Sequence, residues 1–145
     1  MAQTPVSGIP PRILPRIDDV SEPYWTGGGD GVLRLAHCAQ CRRFVHPPRP
    51  DCPHCGTALG YRAVSGDATL FSYTVAHQQF HPEVPTPFVI ALVEIVEQPG
   101  IRLVTNIVDC DPETLFCGMA LRVRFEQQRR GDVAVHVPVF APAIT

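Results

Sequence analysis

Two close cysteine pairs constrain this 145-residue chain more than any other feature of its sequence. Cys38-Ala39-Gln40-Cys41 is followed, after ten residues, by Cys52-Pro53-His54-Cys55-Gly56. Each C-x-x-C segment sets two thiolates on one tight turn, and two such knuckles supply four soft ligands in a tetrahedron. Gly56 lets the backbone turn close beneath the last sulfur. Four thiolates fill the shell and leave no open position for water, so the spacing predicts one closed, structural zinc site. Iron suits the same four sulfurs, and four reduced thiols or a redox pair are the plainer alternatives. His37, His46 and His54 lie nearby in sequence and are read as neighbours of the site, not as ligands.

Charge and composition exclude several partner classes. The net charge is −2, and all 12 basic residues are arginine. No bulk pull toward phosphate backbones follows from such a balance. Residues Met1 to Pro15 lack the charged start and apolar stretch of a secretory signal. The longest aliphatic and aromatic run, Phe88 to Val93, is far shorter than the ~20 residues needed to span a bilayer. A soluble, cytoplasmic protein is therefore expected. In a reducing compartment close cysteine pairs are metal ligands more often than disulfides.

Three segments are expected along the chain. Residues 1–31 form an arm and a short helix. The first 17 of these hold four prolines and no periodicity, as in a disordered or draped arm. Ser21, Glu22 and Pro23 then suit an N-cap and first turn, and Gly27-Gly28-Gly29 should end that helix quickly. Residues 32–62 form the zinc ribbon, entered by a strand over Val32 to Leu35. Residues 63–145 carry five strand candidates: Ala68–Val75, Phe88–Ile95, Ile101–Val108, Leu121–Glu126 and Ala134–Phe140. The second is almost wholly apolar, which predicts burial on both faces. The fourth alternates Leu121, Val123 and Phe125 with charged residues, as a half-exposed strand does. Asp111-Pro112-Glu113 reads as a helix start between the third and fourth strands. Three strands, a short helix and two strands is the order of an OB-fold barrel, with a plain five-stranded sandwich as the competitor. Pro138 cannot donate a ladder hydrogen bond, so Val137 to Phe140 is expected to leave the barrel edge. With the rest of the apolar tail to Ile144 it would then pack on another protein.

No catalytic residue is assigned. Cys110 and Cys117 lack a base close in sequence and are read as structural or incidental. His77 and His81 sit in a polar, proline-stiffened loop, with no role assigned. The aromatics Trp25, Phe71, Tyr73, Phe80 and Phe88 could stack on bases, but in so small a barrel they are more often core.

The order of these pieces resembles a known family. Pro23-Tyr24-Trp25, the first knuckle, His46-Pro47-Pro48-Arg49 and the second knuckle come in sequence. Ser65-Gly66-Asp67-Ala68-Thr69, Phe71 to Val75, Pro87 to Glu94, Gly118-Met119 and Pro138 to Pro142 follow. Together they are similar to the OB-fold proteins with a rubredoxin-like zinc ribbon called domain of unknown function thirty-five, over about Val20 to Pro142. The resemblance implies a mainly β chain with a short N-terminal helical segment, a zinc ribbon and a five-stranded OB-fold barrel. It implies Cys38, Cys41, Cys52 and Cys55 as ligands of one zinc ion. It also implies a non-catalytic accessory subunit that binds and stabilises a thiolase-fold acyl-CoA enzyme in a hetero-oligomer. Such partners include thiolases, acyltransferases and the lipid-transfer-protein-like aldolases of steroid side-chain degradation. Contact with the CoA thioester inside the complex belongs to the same expectation. Two other classes compete: a nucleic-acid-binding OB module, disfavoured by the charge balance, and a free-standing acyl-CoA enzyme, disfavoured by the missing acid–base set. Neither nucleic acid nor membrane is expected as a partner.

Overall fold

The computed structural model describes residues 12–143. A five-residue helix α1 (Glu22–Thr26) leads through a 3-10 turn over Gly27–Asp30 into a small antiparallel sheet. Its strands are β1 (Leu33–Cys38), β2 (Arg43–Val45) and β3 (Gly60–Val64), in the order β2-β1-β3. The chain then forms β4 (Asp67–Ala76), β5 (Phe88–Ile95), β6 (Arg102–Ile107), β7 (Ala120–Arg130) and β8 (Val133–Pro142). These close into a barrel of order β4-β5-β6-β8-β7, with β7 paired back onto β4. All pairings are antiparallel except β6 with β8. The mainly β class and the five-stranded barrel are those the sequence implies. Among the described residues no helix is long and apolar enough to cross a membrane.

The barrel core follows from period-two patterning. Leu70, Val93, Leu103, Leu121 and Phe140 are at most 1% exposed and share one cluster with Leu33 and Leu35 of β1. Ribbon and barrel therefore rest on a continuous apolar core. A second, smaller cluster lies on the other face of β8. There Val135, Val137 and Val139 are covered by Leu14, Ile17, Trp25 and Val108. Burying each such side chain stabilises the fold by roughly 1.5–3 kcal/mol. Residues 12–17 are thus a draped arm, held by the valines they shield; residues 1–11 lie outside the described part.

Several local expectations are corrected. Strand β5 is not buried on both faces: Val89, Ala91, Val93 and Ile95 are buried, while Ile90 on the other face is 39% exposed. Its apolar run covers one core face and one face turned outward from the barrel. Strand β8 does not leave the barrel at Pro138, which stays in register with Phe125, while Val139, Phe140 and Ala141 are buried. The missing N–H of Pro138 is tolerated because the parallel contact with β6 is confined to Ile107 and Phe140. Of the apolar tail, Val137 and Val139 to Ala141 are core, and Ile144 lies outside the described residues. Ser21 occupies the N-cap of α1 without a capping side-chain bond; its hydroxyl instead donates to Asp18 Oδ1 at 2.9 Å. Asp111 does cap, accepting from the Glu113 N–H at 2.9 Å, but only a 3-10 turn over Pro112–Thr114 follows.

The glycine run has a packing role that the sequence hides. It continues α1 as a 3-10 turn, and Gly28 lies flat against Phe125 and His136. A Cβ there would stand 2.4 Å from the Phe125 ring and 2.6 Å from the His136 Cβ. Gly60 in β3 has no neighbour within 4 Å of the same position. Gly28→Ala is expected to destabilise the chain by ~1–3 kcal/mol through overpacking, with Gly60→Ala close to neutral. Thermal melting of both variants checks this, and equal melting points would contradict the close packing described.

Candidate metal centre

The β1–β2 turn and the β2–β3 loop bring the four cysteines together. Cys38 ends β1, paired in register with Arg43, and Cys41 lies in the following turn. Cys52 and Cys55 sit in a second turn, closed by a bridge between Asp51 and Ala58 and by the Cys52 N–H donating to Thr57 O at 2.8 Å. The residue after each knuckle adopts a left-handed conformation: Arg42 at φ 57° and Gly56 at φ 78°. The two turns thus repeat one geometry, with glycine serving it freely in only one of them.

The four Sγ atoms lie within 4.8 Å of one another, with Cys38–Cys55 at 3.6 Å and Cys41–Cys52 at 4.0 Å. A tetrahedron with metal–sulfur arms of about 2.3 Å has edges of about 3.8 Å. The cluster therefore fits a tetrahedral four-thiolate ion with shifts of about an ångström or less. Backbone amides point at two of the sulfurs: Cys41 N–H donates to Cys38 Sγ at 3.3 Å, and His54 N–H to Cys52 Sγ at 3.4 Å. Such donors favour thiolate charge. The Thr57 hydroxyl, 3.2 Å from Cys55 Sγ, and its backbone hold that thiol down to about 6. Backbone hydrogen bonds from Cys55 and His54 lower Cys52. Cys41 is pushed up to about 12, chiefly by its hydrogen bond with Cys55 and then by burial. Proton affinity is thus unevenly shared among Cys41, Cys52 and Cys55. Cys38 and Cys52 are buried while Cys55 is exposed, so the centre lies at the edge of the ribbon.

The three neighbouring histidines do other things. His37 packs edge-on to Phe44, with centroids 4.9 Å apart. The His54 backbone, not its ring, addresses the cluster. His46 lies 5.4 Å from the Tyr24 ring, and its Nδ1 is buried with no hydrogen-bond partner. The cysteines and histidines downstream of the ribbon are scattered. Cys110 is half-buried, its thiol raised by burial and then by Asp111 and Asp109. Cys117 is exposed. His81 Nδ1 accepts from the Glu83 N–H at 3.2 Å and so shapes its own loop. The aromatics occupy different settings. Tyr73 donates its hydroxyl to Leu115 O at 3.1 Å, and Phe71 lies beneath the Arg102 guanidinium. Phe80 is 74% exposed.

Two contacts that sequence reasoning missed tie the ribbon to the rest. Gln98, in the β5–β6 turn, accepts from the Phe44 N–H at 2.7 Å and donates to the Phe44 carbonyl at 3.2 Å. The Tyr61 hydroxyl donates to Val20 O. No local pattern announces partners 54 and 41 residues apart.

Burial holds His46 down to about 4, below its ordinary value of 6.5. The unfolded chain therefore binds this proton more readily than the folded one. The contribution is complete above pH 6.5 and is lost as the pH falls toward 4, with a slope approaching about 1.4 kcal/mol per pH unit. His46→Phe, which keeps the ring contact with Tyr24, is expected to flatten that slope. Chemical denaturation of both forms between pH 4 and 7 measures it. Any loss of thiolate ligation in acid is common to both, so identical slopes would show that His46 is not the titrating group.

Comparison with known proteins agrees with this architecture. Residues 25–60 match the family domain described as ChsH2, rubredoxin-like zinc ribbon domain, and residues 61–126 match ChsH2, C-terminal OB-fold domain. A solved chain described as "Ltp2-ChsH2(DUF35) aldolase" superposes with a TM-score of 0.77 at 35% identity, over 90% of this chain and 100% of that one. A "DUF35 domain-containing scaffold protein" of Methanocaldococcus jannaschii is 33% identical over 68% of this chain and 71% of its own length. A "Probable enoyl-CoA hydratase alpha subunit" of Thermomonospora curvata is 40% identical over 77% of this chain. This chain spans only 34% of that hydratase subunit.

Proposed function

Because the chain belongs to the ChsH2 family of DUF35 proteins, with a zinc ribbon and an OB-fold, we propose that it is a non-catalytic scaffold subunit of a hetero-oligomeric, cytoplasmic acyl-CoA enzyme. In this reading residues 1–31 form the arm and helical segment, 32–62 the ribbon and 63–145 the barrel unit. Cys38, Cys41, Cys52 and Cys55 hold one structural zinc, which ties the two knuckles into a folded hairpin. The partner is a thiolase-fold enzyme, the class to which thiolases and lipid-transfer-protein-like aldolases belong. Contact with the CoA thioester takes place inside that complex.

The observation that carries the proposal is the match over the whole length of a chain from the aldolase named Ltp2-ChsH2(DUF35), which pairs a DUF35 protein with Ltp2. The scaffold name of the archaeal relative supports the same role. The hydratase name of the bacterial relative supports a catalytic reading. That subunit is about three times as long as the segment shared with this chain, so its chemistry can reside outside the shared segment.

Two experiments test the proposal. Elemental analysis of the purified chain is expected to give about one zinc per chain. Cys52→Ser should lose the metal and become protease-sensitive over residues 30–60, since binding energy at such a site is folding energy. A metal-free chain with unchanged protection there would refute the structural zinc. Co-expression with a thiolase-like protein encoded beside it should give one species by size exclusion, turning over acyl-CoA only as the complex. A partner that is soluble and fully active alone, and never co-elutes, would refute the scaffold role. Turnover by the isolated chain would establish the enzyme reading instead.

A further inference from the structure

An apolar cleft of about 440 Å³ opens on the barrel surface, away from the thiol cluster. Its apolar walls come from three separate segments: Ile13 of the arm, Val84, Pro85 and Pro87 to Val89 before and within β5, and Ile107 at the end of β6 with Val108, Cys110 and Pro112 beyond it. That volume lies within the range of roughly 300–1,000 Å³ typical of small-molecule sites, which are likewise mostly apolar with a few placed polar groups.

The polar groups here are few and connected. Arg12 Nε donates to Glu126 Oε1 at 2.6 Å, and Arg12 Nη1 donates to Asn106 Oδ1 at 2.7 Å. Asn106 in turn donates from Nδ2 to Val89 O at 2.7 Å. Glu126 is only 8% exposed although it projects from the outer face of β7, on the side the arm covers. The pair is only partly buried, with the Arg12 side chain 26% exposed and that of Glu126 11%, and such a pair is weak evidence of stabilisation by itself. Placed in the wall of an apolar cleft, it gives a hydrogen-bonding surface with no net charge. A guanidinium carries five N–H donors, more than the two these bonds engage.

We infer that this cleft is a binding site for a neutral, largely apolar molecule bearing a carbonyl group, with the Arg12–Glu126 pair as its polar wall. The carbonyl oxygen accepts from the Arg12 guanidinium, and the body packs on Phe88, Val84 and the flanking prolines. An anionic ligand is disfavoured, because Glu126 already compensates Arg12 and a second negative charge would be buried without a partner. The inference concerns the chain by itself and stands apart from the scaffold role.

The test uses the full zinc-loaded chain and two fluorescent probes of matched shape: the neutral ketone dye prodan and the corresponding dimethylaminonaphthoate anion. Prodan is expected to bind saturably with a blue-shifted emission, and at least about tenfold more tightly than the anion. Glu126→Gln leaves Arg12 uncompensated and should shrink or invert that preference. Val84→Trp fills the cleft and should abolish binding of both probes at an unchanged melting temperature. In a Cys117→Ser background, saturating prodan should slow alkylation of Cys110 at the cleft wall about tenfold. Absence of saturable prodan binding would overturn the inference, as would binding that neither substitution alters, since the cleft would then be only a crevice between arm and barrel. Equal affinity for the two probes would overturn the assignment of a neutral ligand.

Discussion

Closure of the barrel rests on a narrow contact at Phe140. Strands β6 and β8 run parallel there and meet in register only at Ile107 and Phe140. The Val108 N–H donates to Phe140 O at 2.8 Å, and the Thr105 hydroxyl donates to Pro138 O at 3.0 Å. A side-chain hydroxyl thus serves a backbone carbonyl where a proline interrupts the ladder, in keeping with the need to pair buried polar groups. The Phe140 ring, fully buried, fills the core beneath the seam. Because β8 also presents Val135, Val137 and Val139 outward, the strand that closes the barrel is the one that recruits the arm. Arm, cleft and barrel seam are therefore one structural unit.

The ribbon is organised on a different principle. Its strands have six, three and five residues, too little sheet to hold two cysteine turns by itself. Its apolar side chains, Leu33, Leu35 and Val64, belong to the barrel's core and not to a core of its own. The thiol cluster then organises the far end, beyond the reach of that core. Amides aimed at sulfur and the Thr57 hydroxyl prepare it for negative charge, which is the electrostatic condition for a cation.

Much of this was legible from residue spacing. The five barrel strands can be read to within a few residues because their apolar positions repeat every second residue and their turns carry Gly, Pro or Asp. The four cysteines were legible because a ligand set must recur at fixed intervals. What local patterns do not announce are partners distant in sequence and roles set by packing. Arg12 and Glu126 are 114 residues apart, and nothing local couples them. Pro138 read as a strand breaker, yet its position beside a sparse parallel seam makes the lost donor harmless. Gly27, Gly28 and Gly29 read as a helix stop. The α-helix does end at Thr26, but the lack of a side chain at Gly28 also lets the backbone lie against Phe125 and His136. The strand Phe88–Ile95 reads as buried on both faces because hydrophobicity alone does not distinguish a core from a surface left apolar.

The two hydrogen bonds between Gln98 and Phe44 have a consequence for how copies of this chain behave at high concentration. Strand β2 is an outer strand of the ribbon sheet, and such a strand offers unpaired N–H and C=O groups on which a foreign strand can grow. At Phe44 both groups are taken by one side-chain amide, which imitates the neighbouring strand that is not there. The glutamine thus seals the middle of a three-residue edge and denies a template to intermolecular sheet extension.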